Sequence, residues 1–244
     1  MDNLTIEVCC SSVSDALEAY KAGADRIELC CAIENGGLTP SAGEYLEAAL
    51  KIDVPIVVLI RPRFSGFDYD EDDFGAMLQD AKYFVRNGAD GIAFGFLDKQ
   101  GTLDKEKTLM MIEACGNADP VFHKAFDCLE DPFDALEYFR TNGIKRVLTA
   151  GGCREAVLGA EMIRAYVDMA GADMIAAAGR IRPENALKLL SVSGVSQIHF
   201  ALNTSLRDMS ASFNEALGDG FSSEGYTRTD PEALSNFIKW LRTL

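Results

Sequence analysis

Positive charge is scarce in this chain. Twenty-three Lys and Arg stand against 38 Asp and Glu, a formal net charge of −15. That balance argues against nucleic acid as a partner, because displacing phosphate counterions takes a basic face, and it disfavours docking on anionic membranes. Long apolar runs are also missing, since none approaches the roughly 20 residues that a membrane-spanning helix needs. No signal-peptide pattern opens the sequence, where Asp2 and Asn3 follow Met1, so a cytoplasmic address is expected. There are two histidines, and neither Cys-x-x-Cys nor His-x3-His occurs, so a structural zinc of the usual spacing is not expected. The seven cysteines are an odd number in a chain long enough to do without disulfides, and are expected as reduced thiols.

What is present is a repeated unit. Gly-Ala-Asp occurs at 23–25, 88–90 and 171–173, each time just before an apolar run. Gly143-Ile144-Lys145 and Gly194-Val195-Ser196 are looser versions. Each glycine follows a helix-like stretch, where a left-handed residue ends a helix at no steric cost. Strands are expected near 4–9, 26–31, 55–61, 91–96, 120–125, 145–150, 174–178 and 196–201. Helices are expected near 12–22, 41–51, 70–87, 104–115, 132–142, 154–170, 183–191 and 231–243. Pro40, Pro132, Pro183 and Pro231 mark helix starts. Eight alternating pairs predict the α/β class, a (β/α)8 TIM barrel forming a single domain over 1–244. A doubly wound sheet would carry a glycine-rich phosphate turn after its first strand, and Cys10–Ser14 has no glycine. The polar stretch 203–229 is long for a connection and is expected as a lid or an arm on another subunit.

Two segments read almost alike: Ile6-Glu7-Val8-Cys9-Cys10 and Ile27-Glu28-Leu29-Cys30-Cys31. Strand alternation puts Glu7 with Cys9 and Glu28 with Cys30 on one face, opposite Ile6, Val8, Ile27 and Leu29. On adjacent parallel strands, two carboxylates and two thiols then converge inside the barrel. A free cysteine is usually a small core hydrophobe, but the matched pair makes a soft-ligand site for Cu(I) an equal contender. Buried carboxylates need partners, and Arg61 or Arg63 is the expected one.

Other polar residues fall at the C-terminal strand ends, where barrels of this type do their chemistry. They include Arg61 and Arg63, a fork suited to an anionic group; His123 and His199; and Lys124, Asp127 and Thr149. The Ala178-Gly179-Arg180 turn occupies a position where many barrels hold phosphate.

The sequence resembles the CutC family of copper-homeostasis proteins. The likeness runs through Glu7-Val8-Cys9, the Gly23-to-Cys30 block, Gly36-Gly37-Leu38-Thr39-Pro40-Ser41 and Arg61-Pro62-Arg63. It continues with Phe122–Asp127, Arg146–Thr149 and His199. The resemblance implies a cytoplasmic barrel, a dimer, and Cu(I) on the cysteines matching Cys9 and Cys30. Departures from the family pattern are Lys124 for arginine, Phe64-Ser65-Gly66 for a glycine doublet, a lone Gly179 for a glycine run, and Phe200 for a small residue.

Two functions follow as expectations. In the first, Cys9 and Cys30 bind Cu(I). In the second, the barrel is an enzyme on a small anionic metabolite such as a sugar acid or sugar phosphate. Glu7 or Glu28 would move a proton and His123 would polarise a carbonyl or act as acid. Arg61, Arg63, Lys124, Asp127, Thr149 and His199 would bind the substrate.

Overall fold

The computed structural model describes residues 4–208, 210 and 226–244. Among these, eight parallel strands close into a barrel in sequence order: β1 (Thr5–Cys10), β2 (Arg26–Leu29), β3 (Ile56–Leu59), β4 (Gly91–Phe94), β5 (Asp119–Phe122), β6 (Arg146–Thr149), β7 (Ile175–Ala178) and β8 (Gln197–Phe200). The helices that follow them are α1 (Val13–Ala22), α2 (Ala42–Ala49), α3 (Glu71–Arg86), α4 (Lys105–Cys115), α5 (Pro132–Asn142), α6 (Ala160–Ala170), α7 (Pro183–Ser193) and α8 (Pro231–Leu241). The expected (β/α)8 barrel is the fold, with strands mostly four residues long. No helix of the described residues is long and apolar enough to cross a membrane.

The Gly-Ala-Asp repeat has a physical basis in two of its copies. Gly23 and Gly88 (φ 92° in both) close α1 and α3. Ala24 and Ala89 are buried. Asp25 then accepts the Ile6 N–H at 2.7 Å and Asp90 accepts the Ile56 N–H at 2.8 Å. Each aspartate thus satisfies a strand-edge donor of the preceding strand at the bottom of the barrel.

Parallel strands buried on both faces sort their side chains by parity. Ile6, Val8, Ile27 and Leu29 point outward into the large core between strands and helices. A second apolar cluster of Cys30, Val57, Leu59, Ala93, Val121, Leu148, Ala176 and Ala178, with Cys9 against it, fills the barrel.

Two segments differ from expectation. Helix α6 starts at Ala160, not 154. Residues 150–159 fold back so tightly that a Cβ on Gly159 would lie 2.0 Å from the Ala150 carbonyl oxygen, so backbone packing displaces the helix start. The stretch 203–229 begins and ends as an antiparallel pair, β9 (Asn203–Leu206) with β10 (Tyr226–Thr229). Asp15 holds β10 to the barrel, accepting from Arg228 Nε at 3.0 Å and the Thr229 N–H at 2.9 Å. Residue 209 and residues 211–225, the middle of the expected lid or arm, lie outside the described residues.

Candidate metal centre

Strands β1 and β2 pair with Cys9 opposite Glu28 and Glu7 opposite Arg26, while β8 sets His199 opposite Glu7. The inward parity of all three strands therefore gathers Glu7, Cys9, Glu28, Cys30 and His199. The Sγ atoms of Cys9 and Cys30 stand 3.7 Å apart. His199 donates from Nδ1 to Glu7 at 2.7 Å, and its Nε2 faces Glu28 at 3.7 Å. Ligand atoms of Cys9, Glu28 and His199 all lie within 4.8 Å of one another. Below them, Arg26 Nε donates to Glu7 and its NH2 donates to Gln197 at 2.9 Å.

Electrostatics follow from this packing. Burial would raise the Glu7 carboxyl, but the His199 hydrogen bond and the Arg26 and His199 charges outweigh it and hold it well below the usual range. Burial raises Glu28, the His199 charge opposes this, and the Glu7 charge reinforces it. His199 is pushed down by burial and more strongly up by Glu28, Cys9 and Glu7, ending well above an ordinary imidazole. The sulfur–sulfur hydrogen bond, burial and Glu28 drive the Cys9 thiol up. At Cys30 that bond opposes the shift, and burial with the Glu28 charge prevails. Without a bound cation, the site keeps its thiols protonated.

Glu7 is not partnered by Arg61 or Arg63, as the sequence suggested. Its partner is Arg26, which reasoning from the sequence missed. The signal was there: Arg26 lies two residues before Glu28 and shares its face. Arg61 instead donates through NH1 to the carbonyls of Asn35 at 3.0 Å and Gly37 at 2.8 Å. It thereby fastens the 32–38 turn over Cys30. Gly37 (φ 83°) is needed there, since a Cβ would lie 2.8 Å from Leu59 Cδ2 and 3.5 Å from Cys30 Sγ. Arg63 turns away to Asp73 at 2.9 Å and lies over the Tyr69 ring.

The remaining sequence candidates form two other groups. His123 is buried beside Phe67, and its Nδ1 accepts the Ala125 N–H at 3.1 Å. Burial, aided by the Arg61 charge, lowers it to about 3, so it is a neutral ring with hydrogen on Nε2. Lys124, Asp127 and Thr149 meet at the β5–β6 mouth. Asp127 accepts from Thr149 Oγ1 at 2.6 Å and from the N–H groups of Ala150 and Gly152, with Lys124 Nζ at 3.4 Å. Its carboxylate is thus largely spent on holding its own loop. Cys10 packs in the outer core, and Cys31 donates to the Thr39 carbonyl at 3.1 Å.

The family model of CutC matches residues 4–204. A family protein CutC of Treponema denticola is 43% identical over 202 residues, covering 82% of this chain and 82% of that protein. The human copper homeostasis protein cutC homolog is 35% identical over 226 residues, covering 91% of this chain and 82% of that protein. A solved CutC structure from Streptococcus agalactiae superposes with a TM-score of 0.75 at 28% identity, covering 81% of this chain and 98% of that one. Phosphoribosylanthranilate isomerase of Thermotoga maritima, at 15% identity and a TM-score of 0.60 over 99% of this chain and 100% of that one, shares the barrel alone. With paired Glu-x-Cys strands in a closed barrel, a family model matched over residues 4–204 and relatives at 43% and 35% identity, the chain belongs to the CutC family of copper-homeostasis proteins.

Proposed function

We propose that this protein binds Cu(I) as cargo through Cys9 and Cys30 at the C-terminal mouth of its barrel, for buffering or delivery in the cytoplasm. The 3.7 Å separation of the two sulfurs carries the reading. Thiolates are the soft donors that Cu(I) favours, and two on neighbouring strands reach one ion without moving the backbone. Homodimerisation, implied by the family resemblance, remains part of the proposal. The test is a Cu(I) titration of the reduced protein against a chromogenic chelator. One equivalent withdrawn from the chelator is expected, and no withdrawal rejects the proposal.

One observation favours a second reading, acid–base chemistry on a small anionic molecule. Arg61 Nε, Tyr69 Oη and His123 Nε2 are buried with no hydrogen-bond partner among the described residues. Arg61 and His123 both contact the Phe67 ring. Three donors left unpaired in one region carry a desolvation cost that an oxyanion would relieve. A thermal-shift screen over sugar acids and sugar phosphates tests this reading, and no stabilisation across the set rejects it.

A further inference from the structure

The patch holds more donors than two-coordinate Cu(I) uses. Beside the sulfurs stand a carboxylate, Glu28, and an imidazole nitrogen, His199 Nε2. The geometry of the sulfur pair is informative. With a metal–sulfur bond of about 2.3 Å, two sulfurs on a tetrahedral ion lie roughly 3.8 Å apart, and on a linear ion roughly 4.6 Å. The observed 3.7 Å is the contact of two hydrogen-bonded thiols, and it is compatible with a tetrahedral edge without rearranging either strand.

The histidine is also prepared as a ligand. Glu7 takes the Nδ1 hydrogen at 2.7 Å, which fixes the ring and leaves Nε2 as the coordinating atom. Arg26 fixes Glu7 in turn. A carboxylate behind a histidine in this way orients it and raises its basicity toward a metal. The sequence argument against zinc applies to ligands close together in one segment. Here they come from β1, β2 and β8, joined only by barrel closure.

We infer that Cys9, Glu28 and His199, whose ligand atoms already lie within 4.8 Å of one another, form with Cys30, drawn in from its contact with Cys9 by rotation of its side chain, a four-donor S2NO site for a divalent cation that favours tetrahedral coordination, of the Zn2+ class. The inference rests on the reading of this patch as a metal site, and adds a second kind of ion and two further ligands. Binding releases the thiol protons and any proton on Nε2, since the coordinating forms are the thiolates and the free nitrogen. Glu7 is a positioning residue that touches no ion.

The test uses the full, reduced chain with Co2+ as the spectroscopic probe for Zn2+. One equivalent of Co2+ is expected to give the intense visible bands of a tetrahedral ion and a near-ultraviolet thiolate-to-cobalt charge-transfer band. One equivalent of Zn2+ should bleach both. Glu28→Gln and His199→Gln, which keep hydrogen-bonding groups in place, should each weaken Co2+ binding at least ~10-fold. A Co2+ spectrum of the weak octahedral type in the parent overturns the inference without reference to any variant. Unchanged Co2+ affinity in both variants overturns it too. Cu(I) binding without Co2+ binding defeats this inference and spares the copper proposal, whereas Co2+ binding without Cu(I) does the reverse.

Discussion

Exchanging Cys9 and Cys30 together for alanine is expected to weaken Cu(I) binding by more than ~100-fold, beyond the roughly 10–100-fold that follows loss of a supporting contact around a metal. The sulfurs are the soft donors of the patch, and Glu28 and His199 offer only oxygen and nitrogen to a soft ion. The fold should survive, because the deleted groups are small. Cys9 is half-buried, and Cys30 sits among Val57, Leu59 and Ala93, where losing one sulfur costs about 1 kcal/mol. A melting temperature within a few degrees of the parent's would separate loss of ligand from loss of structure. Cys10→Ala is the matched control. That residue lies on the opposite parity, packed outward with Ile6 and Val8, so its removal should leave Cu(I) affinity unchanged. Equal affinity in the parent and the double variant would reject the site.

Replacing the buried Glu7 by alanine should cost roughly 3 kcal/mol, because it leaves the half-buried Arg26 and His199 charges without their shared counter-ion. For a chain of this size that is a fall of about 10 °C in melting temperature. The pH dependence has a definite sign. Glu7 is held below its reference value of 4.5, so its contribution is present above that pH and is lost as pH falls. His199 is raised above 6.5, so its contribution is complete below 6.5 and is lost as pH rises through the raised value. The gap between parent and Glu7→Ala should therefore be widest between pH 4.5 and 6.5. It should shrink below that window, and above it to the part carried by Arg26, whose charge persists. Chemical denaturation at three pH values checks this, and a flat difference would contradict the assigned charge states.

Much of the fold was legible because local signals repeat. Glycine after six of the eight helices, an aspartate bridging to the preceding strand at Asp25 and Asp90, and proline in the first turn of α5, α7 and α8 mark the same unit again and again. The start of α6 was not legible. Arg154–Leu158 has helix-forming composition, and the backbone contact of Gly159 with Ala150 and Gly151, together with the Ala156 N–H donating to the Gly179 carbonyl at 2.9 Å, overrides it. Within the site, parity alone predicted the convergence of Glu7, Cys9, Glu28 and Cys30. The same rule applied to Arg26 would have supplied the counter-ion of Glu7. The separation of the two histidines was hidden for a different reason. His199 meets Glu7 only because β8 closes on β1, and His123 is sealed by Phe67, a loop residue whose position no periodicity reports.

The sulfur count around bound copper tests the central claim most directly. The copper-edge X-ray absorption of the Cu(I)-loaded, reduced protein is expected to show two sulfur neighbours, both lost in the Cys9→Ala, Cys30→Ala variant. A first shell of nitrogen and oxygen only, or two sulfurs that persist in that variant, would contradict the account.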